Sequence, residues 1–218
     1  MSTRRSVLRK VGLAGIGTTA GVALLPSPPD ATDPSGTVEA ATPPEEIADW
    51  LDEPITDESD APIGRYHYEP TSDGYRATAP FNVVLLPDAD GERGLERVMS
   101  VLTNEGWVRN PEEYTRFAWD RTDETYVRQE ATAAQTYYGT NGRRHVRCWS
   151  FESVVSMQAH EDTSARPKHG IASYQRGRDT VEAIFAADGW AVSPGAIDLR
   201  NEKGPDHDGV ATVIAESP

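Results

Sequence analysis

The sequence has a single cysteine, Cys148, and only three lysines among its 21 basic residues. A lone cysteine excludes an internal disulfide. Its place in an apolar strand pattern predicts a buried thiol that behaves as a small hydrophobe. We therefore expect no cysteine nucleophile, because burial raises the pKa of a thiol and hides it from substrates.

Familiar catalytic motifs are also lacking. The chain has no glycine-rich phosphate loop, nucleophile elbow, HExxH pair or CxxC pair. Its longest apolar run, at residues 11–25, is shorter than the roughly 20 residues that a membrane-spanning helix needs. The sequence thus names no reaction; it leaves open whether the protein is an enzyme and favours a role without catalysis.

Positive charge is scarce overall. The chain carries 35 acidic and 21 basic residues, a net charge of −14, and arginine supplies 18 of the basic residues. Such an acidic surface with little lysine resembles the proteins of extreme halophiles, in which negative charge aids solubility in brine. The basic footprint of a nucleic-acid-binding protein is absent, so no nucleic-acid partner is expected.

Residues 1–26 read as an export signal, with a basic head, an apolar run and small residues. Arg4 and Arg5, within the stretch TRRSVL, resemble a twin-arginine signal in which Val7 stands where Phe is more usual. The resemblance implies the twin-arginine machinery as a partner. It also implies a location outside the cell or on the outer face of the cytoplasmic membrane, with membrane contact only through an uncleaved signal.

Two further segments follow the signal. Residues 27–60 are rich in proline and acidic residues, which predicts a flexible acidic linker. Residues 61–218 are predicted to form a single α+β domain. Within it, β-branched and aromatic runs bounded by turn residues predict strands at residues 65–68, 80–86, 114–119, 125–129, 136–138, 196–199 and 210–215.

One phrase occurs twice: VMSVLTNEGW at 98–107 and VEAIFAADGW at 181–190. Each has the apolar spacing of an amphipathic helix, a glycine where the helix would end, and a tryptophan. The pair predicts an antiparallel or mixed sheet with two amphipathic helices packed on one face. The alternative is that two unrelated helices share a common way of ending.

Residues 143–162 predict a β-hairpin whose arms meet at Glu152 and Ser153. In that register His145 faces His160 and Arg147 faces Gln158. Because side chains alternate along a strand, one face is apolar and the other carries the histidines, Arg147 and Trp149. The polar face either holds a ligand or is simply the wet outer side of an antiparallel sheet.

Charge reverses between residues 143 and 178, where seven basic residues stand against three acidic ones. Arginine makes short bidentate contacts with phosphate or carboxylate, and these survive in brine. The leading hypothesis is an exported domain that binds an anionic cell-envelope ligand through Arg147, Arg178 and the histidine pair. Local ion pairs are the alternative explanation of the charge.

The histidines support a second hypothesis, a metal-dependent hydrolase that uses His145, His160 and His169. Hydrolytic zinc sites typically combine three protein ligands with one water. Under this hypothesis the cofactor is a divalent metal such as zinc; otherwise no cofactor is expected. A third hypothesis is a protein-interaction domain that docks through Trp149 and Phe151.

The segments RRHVRCW and KHGIASYQRGRDTVEAIF are similar to the LssY-type C-terminal domain. That family has a His-x-Arg-x-Trp strand and, later, a His followed by an Arg-Asp pair that opens a helix. The resemblance covers approximately residues 80–190, including PFNVVLL and the helix that ends in Gly-Trp. The chain departs from the family in an insert at 120–142 and after Trp190.

The resemblance implies an envelope setting and a phosphorylated ligand, because some family members follow a membrane phosphatase domain. By position, the implied site residues are His145, Arg147, Trp149, His169, Arg178 and Asp179.

Overall fold

The computed structural model describes Pro54 and residues 63–111, 114–137, 142–163 and 169–217. The predicted signal, with Arg4 and Arg5, and the predicted linker, apart from Pro54, lie outside the described residues. Within the described ranges, neither helix has the length and apolar character needed to cross a bilayer.

Twelve strands and two helices make up the part of the chain that the structure describes. In chain order they are β1 (Tyr66–Thr71), β2 (Gly74–Pro80), β3 (Val83–Leu86), α1 (Gly91–Asn104), β4 (Val108–Arg109), β5 (Phe117–Asp120), β6 (Thr125–Arg128), β7 (Ala131–Ala134), β8 (Arg144–Phe151), β9 (Val154–Asp162), β10 (Ile171–Ser173), α2 (Tyr174–Ala187), β11 (Ala191–Asp198) and β12 (Val210–Ala215).

The strands form two sheets. The larger sheet has eight strands, in the order β11-β12-β3-β9-β8-β7-β4, with β10 also paired to β9. Its β12 and β3 run parallel, whereas its other pairs are antiparallel. The smaller sheet is antiparallel, in the order β2-β1-β5-β6. The prediction of an α+β fold with a mixed sheet is confirmed.

Both helices pack on one face of the larger sheet. Val98 of α1 and Ile184 of α2 belong to one buried apolar cluster with Val146, Cys148 and Met157 of the hairpin. The repeated Gly-Trp phrase ends both helices in the same way. Gly106 (φ 83°) and Gly189 (φ 90°) take the left-handed conformation that favours glycine, and the next backbone N–H returns to the last turn.

The hairpin has the predicted register. His145 lies opposite His160, Arg147 opposite Gln158, and Phe151 opposite Val154. The turn places Glu152 at a positive φ of 53°.

The interpretation of the polar face as a wet outer surface is wrong. Trp149 lies on that face, fully buried, in a second apolar cluster with Phe81 and with Ala118 of the smaller sheet. The smaller sheet covers this side because β1 and β5, which are distant in sequence, pair with each other. The hairpin is therefore buried on both faces.

Several details of the strand prediction also change: β4 and β10 are not in it, and β11 begins earlier than the predicted 196. Residues 136 and 137 of the strand predicted at 136–138 are not in a strand, and Tyr138 lies outside the described residues. The strand in this region is β7, Ala131–Ala134, a run of small residues without strong strand propensity. Strand β2, Gly74–Pro80, is not in the prediction, and it pairs with β1 along its length. The insert at 120–142 thus contains two ordinary strands, β6 and β7.

Candidate metal centre and adjoining cleft

Four potential ligands meet at one end of the hairpin: His145, His160, Asp162 and His169. One donor atom from each lies within 4.8 Å of the other three. His145 Nδ1 is 3.2 Å from His160 Nε2. Asp162 Oδ1 is 3.0 Å from His160 Nε2, 3.3 Å from His169 Nε2 and 3.9 Å from His145 Nδ1. Donor atoms bound tetrahedrally to one zinc ion, at about 2.0–2.1 Å, lie about 3.3 Å apart.

Strand geometry explains this convergence. His145 and His160 are direct cross-strand partners, and Asp162 follows His160 by two residues, so it projects from the same face. The chain then returns in β10, where Ile171 pairs with Asp162, and this return carries His169 back to the cluster.

Burial sets the charge state of these groups. His145 and Asp162 are fully buried, and the His169 side chain keeps 16% of its surface. Burial lowers the pKa of His145 and His160, so both rings are neutral near pH 7. Burial alone raises the pKa of Asp162, but its interactions with His145 and His160 outweigh burial and lower that pKa below its usual range. Neutral imidazoles thus surround an ionised carboxylate.

The Asp162 Oδ1 atom is the unusual member of the cluster. It is buried, and no described residue donates a well-aligned hydrogen bond to it, although two ring nitrogens lie within 3.3 Å. Leaving a buried charged acceptor without a hydrogen bond costs several times RT. The donor atoms therefore surround a shared point, although His145 Nδ1 and His160 Nε2 also lie within hydrogen-bond distance of each other.

Neighbouring residues hold two of the ligands in place. Arg143 Nε donates to Asp162 Oδ2. The side-chain amide of Gln158 contacts His160 Nδ1 with both of its polar atoms, with its Nε2 at 2.9 Å and its Oε1 at 3.1 Å. When His160 Nδ1 donates to that oxygen, Nε2 directs its lone pair toward the cluster. Partners of this kind fix the orientation of metal ligands.

Helix α2 lies directly against the backbone of β9, on the side of the sheet opposite the cluster. Gly177 faces the backbone of β9, where an added Cβ would stand 2.4 Å from both Cα and N of His160. Only glycine permits this approach, so the helix fixes the backbone position of His160.

A cleft of about 320 Å³ opens beside the cluster. Its wall includes His160 and His169 from the cluster, and its other lining residues come from both sheets and the segments beside them: His67, Glu69, Thr78, Ala79, Tyr114, Arg116, Arg147, Gln158 and Ile171. Arg147 is buried, and its Nη1 donates to Tyr114 O and Gln129 Oε1, both at 2.8 Å. Arg116 Nη2 is 3.8 Å from Glu69 Oε2.

The structure brings some of the predicted site residues together. His145, His160 and His169 converge, and Arg147 lines the adjoining cleft.

Three predicted site residues lie elsewhere. Trp149 is a core residue, stacked on His67 and packed edge-on against Phe81. Arg178 pairs with Asp208 at 2.9 and 3.0 Å and also bonds the Val210 carbonyl. Neither Arg178 nor Asp179 lines the cleft. These placements correct the predicted anion site, because Arg178 reaches the start of β12 and not the hairpin.

Several residues of the site are not among the predicted ones, and Asp162, Arg116 and His67 are the most important of them. Asp162 could have been found, since a residue two positions after His160 in a strand shares its face. Arg116 and His67 come from the smaller sheet or next to it, and no local pattern links them to the hairpin.

Comparisons of the chain with protein-family models, curated proteins and solved structures found no match. The resemblance to the LssY-type domain stays a prediction.

Proposed function

We propose that this domain binds one divalent transition-metal ion of the zinc class through His145, His160, Asp162 and His169. The observation that carries the proposal is the spacing of the four donor atoms around a buried carboxylate oxygen that lacks a hydrogen bond. A cation at the shared point would satisfy that oxygen and three neutral imidazoles at once.

The donor set defines the class of metal. Imidazole nitrogens suit zinc, copper, iron and nickel, whereas calcium and magnesium prefer oxygen ligands. Three imidazoles and one carboxylate complete a tetrahedral shell, as in zinc sites that keep no coordinated water. The arrangement therefore favours metal binding over the hydrolase hypothesis, which requires an open position.

A hydrogen-bonded cluster without metal is the competing explanation. The contact between His145 Nδ1 and His160 Nε2, at 3.2 Å, would then hold a proton. His160 Nε2 would have no second proton for Asp162 Oδ1, although that oxygen is the closer neighbour at 3.0 Å. One proton cannot serve both contacts, so without a metal Asp162 Oδ1 would depend on His169 Nε2, which lies 3.3 Å away without a well-aligned hydrogen bond. This geometry favours the metal.

The test is metal analysis of the full chain, purified without chelators in molar KCl and followed by titration with zinc or cobalt. We expect close to one equivalent of bound metal and a higher melting temperature, since a ligand at about 1,000 times its Kd adds about 4 kcal/mol of stability. Tetrahedral cobalt would also give strong visible absorption.

His169→Ala is the most informative variant, because His169 is the most exposed of the four ligands. We expect it to weaken metal binding by at least about 100-fold with little loss of fold. His207→Gln is the matched control, since His207 is buried but bonds Asn201 away from the cluster. Metal content far below one equivalent, with melting unaffected by zinc or EDTA, would refute the proposal.

A further inference from the structure

The cleft beside the metal centre is not accounted for by metal binding. It is lined from the smaller sheet by His67 and Thr78 and from the larger sheet by Arg147 and Gln158. Its volume of about 320 Å³ is at the low end of the roughly 300–1,000 Å³ found for small-molecule sites. A ligand that fits it is therefore compact.

Charge in the cleft is predominantly positive. Arg116 and Arg147 line it, and Glu69 is the one carboxylate among its described lining residues. Glu69 is already engaged by Arg76 and Arg116. In the neighbouring cluster, the buried Arg143 balances the charge of Asp162. A divalent ion there would add two positive charges that the described side chains leave uncompensated.

The electrostatic field at His67 is also positive. Burial lowers the pKa of His67 first, and the positive charges of Arg147 and Arg116 lower it further. His67 is thus a neutral hydrogen-bonding group in the wall, with Nδ1 2.7 Å from Thr78 Oγ1. The cleft offers two guanidinium groups, neutral hydrogen-bonding groups and a nearby cation site.

We propose that the cleft binds a compact phosphate group, held by Arg116 and Arg147 next to the metal. The inference rests on the proposed metal centre and adds the class of its ligand. A phosphate dianion matches the uncompensated charge better than a singly charged carboxylate does, and its several oxygens can contact both guanidinium groups at once. Inorganic phosphate and the head of a phosphomonoester share this chemistry.

The test is calorimetric titration of the metal-loaded full chain in molar KCl with inorganic phosphate and, separately, with glycerol phosphate. We expect saturable binding at one site, and the tighter of the two probes identifies the source of the phosphate. Metal content measured after each titration checks that the probe has not extracted the ion.

Three variants identify the site. Arg116→Gln should weaken phosphate binding at least about tenfold, because it removes a charge-assisted hydrogen bond. Glu69→Gln should tighten it, because it removes the negative charge from the wall. Arg109→Gln is the control and should change nothing, since Arg109 pairs with Glu96 on α1. Thermal melting of each variant verifies its fold, and the opposite sign expected for Glu69→Gln excludes a general loss of structure.

The outcomes separate the two proposals. Bound metal without saturable phosphate binding, or Arg116→Gln binding like the wild type, would overturn the phosphate cleft and leave the metal centre standing. A chain that binds no metal yet holds phosphate in an Arg116-dependent way would overturn the metal centre and support the cleft.

Discussion

The face of the β8–β9 hairpin that meets the helices and the face that meets the smaller sheet are equally hidden from solvent, but they bury different chemistry. Toward the helices lie Val146, Cys148 and Met157 in a continuous apolar cluster. Toward the smaller sheet, the same strands bury His145, Arg147 and Gln158 beside Trp149. The two faces therefore differ in the free energy of burying them.

Burying the apolar face is favourable by itself, at about 25 cal/mol for each Å² removed from water. Burying imidazole, guanidinium and amide groups is favourable only when each is bonded, because an unpaired polar group costs free energy. A chain selected for stability alone has no need of the second face. We infer that the helix side and the apolar cluster around Trp149 support the fold, whereas the polar residues beside that cluster are retained for what they bind.

The most direct test of the difference between the two faces is to truncate adjacent residues that point to opposite faces. Met157 and Gln158 are both fully buried. Met157→Ala should lower the free energy of unfolding by about 2–5 kcal/mol, because it leaves a cavity under the helices. Metal stoichiometry should remain unchanged. Denaturant unfolding and metal analysis of the same preparation measure both quantities.

Gln158→Leu is the counterpart on the polar face. It removes the group that bonds His160 Nδ1, so metal affinity should fall about 10- to 100-fold, with a smaller loss of stability than in Met157→Ala. If Met157→Ala weakened metal binding as much as Gln158→Leu did, the division between the two faces would be wrong.

The loss of stability in acid offers a second test of the difference between the two faces. Burial lowers the pKa of His67, His145 and His160, whereas the apolar face has no such group. His207, outside both faces, also has a pKa lowered by burial, from 6.5 to about 4. Below pH 6.5 the unfolded chain takes up a proton at His207 that the native protein does not, so stability decreases as pH falls.

The contribution of His207 should reach about 3 kcal/mol near pH 4, since one unit of pKa corresponds to about 1.4 kcal/mol. His207→Gln should therefore flatten the fall in unfolding free energy between pH 6.5 and 4, measured by denaturant titration with EDTA present. The remaining slope belongs to the histidines of the polar face together with carboxyl groups whose pKa is lowered, such as Asp162 and Asp206. A variant as acid-sensitive as the wild type would mean that His207 is not a source of the slope.

The features that could be predicted from sequence are those with a local period. Alternation along β8 and β9 predicted the pairing of His145 with His160, and the apolar spacing of the two Gly-Trp phrases predicted both helices. The cover over the polar face could not be predicted in this way. It depends on β1 pairing with β5, where His67 meets Ala118, and no local pattern indicates a contact over that separation.

The same limit applies to the cleft. Charge counting pointed to arginines near the hairpin and selected Arg178, which pairs with Asp208. Arg116, which lines the cleft, belongs to a segment whose position depends on the smaller sheet. Composition can indicate that arginine serves a site, but only tertiary pairing determines which arginine does so.

Gly177 tests whether the helix side and the polar side are independent. Gly177→Ala would place a Cβ 2.4 Å from the backbone of His160, so α2 and β9 must move apart. We expect a loss of about 1–3 kcal/mol, typical of overpacking, together with weaker metal binding because His160 moves.

Gly170→Ala is the matched control. It lies next to His169, yet its added Cβ would meet Thr163 no closer than 3.4 Å. It should cost less stability than Gly177→Ala and leave metal affinity nearly intact. If Gly177→Ala lost stability but bound metal normally, α2 would support the fold without positioning the site.

The smallest expected effect concerns Arg178, which the charge pattern assigned to the ligand site. Its guanidinium, 13% exposed, pairs with Asp208, whose side chain is 52% exposed, and ion pairs with a solvent-exposed partner contribute only about 0–1 kcal/mol. Arg178→Gln should therefore lower the unfolding free energy by less than about 1 kcal/mol and leave metal and phosphate binding as in the wild type. Weakened phosphate binding in Arg178→Gln, with metal still bound, would move the anion site from the polar face of the hairpin to the start of β12. The contrast between the two faces would then concern the metal alone.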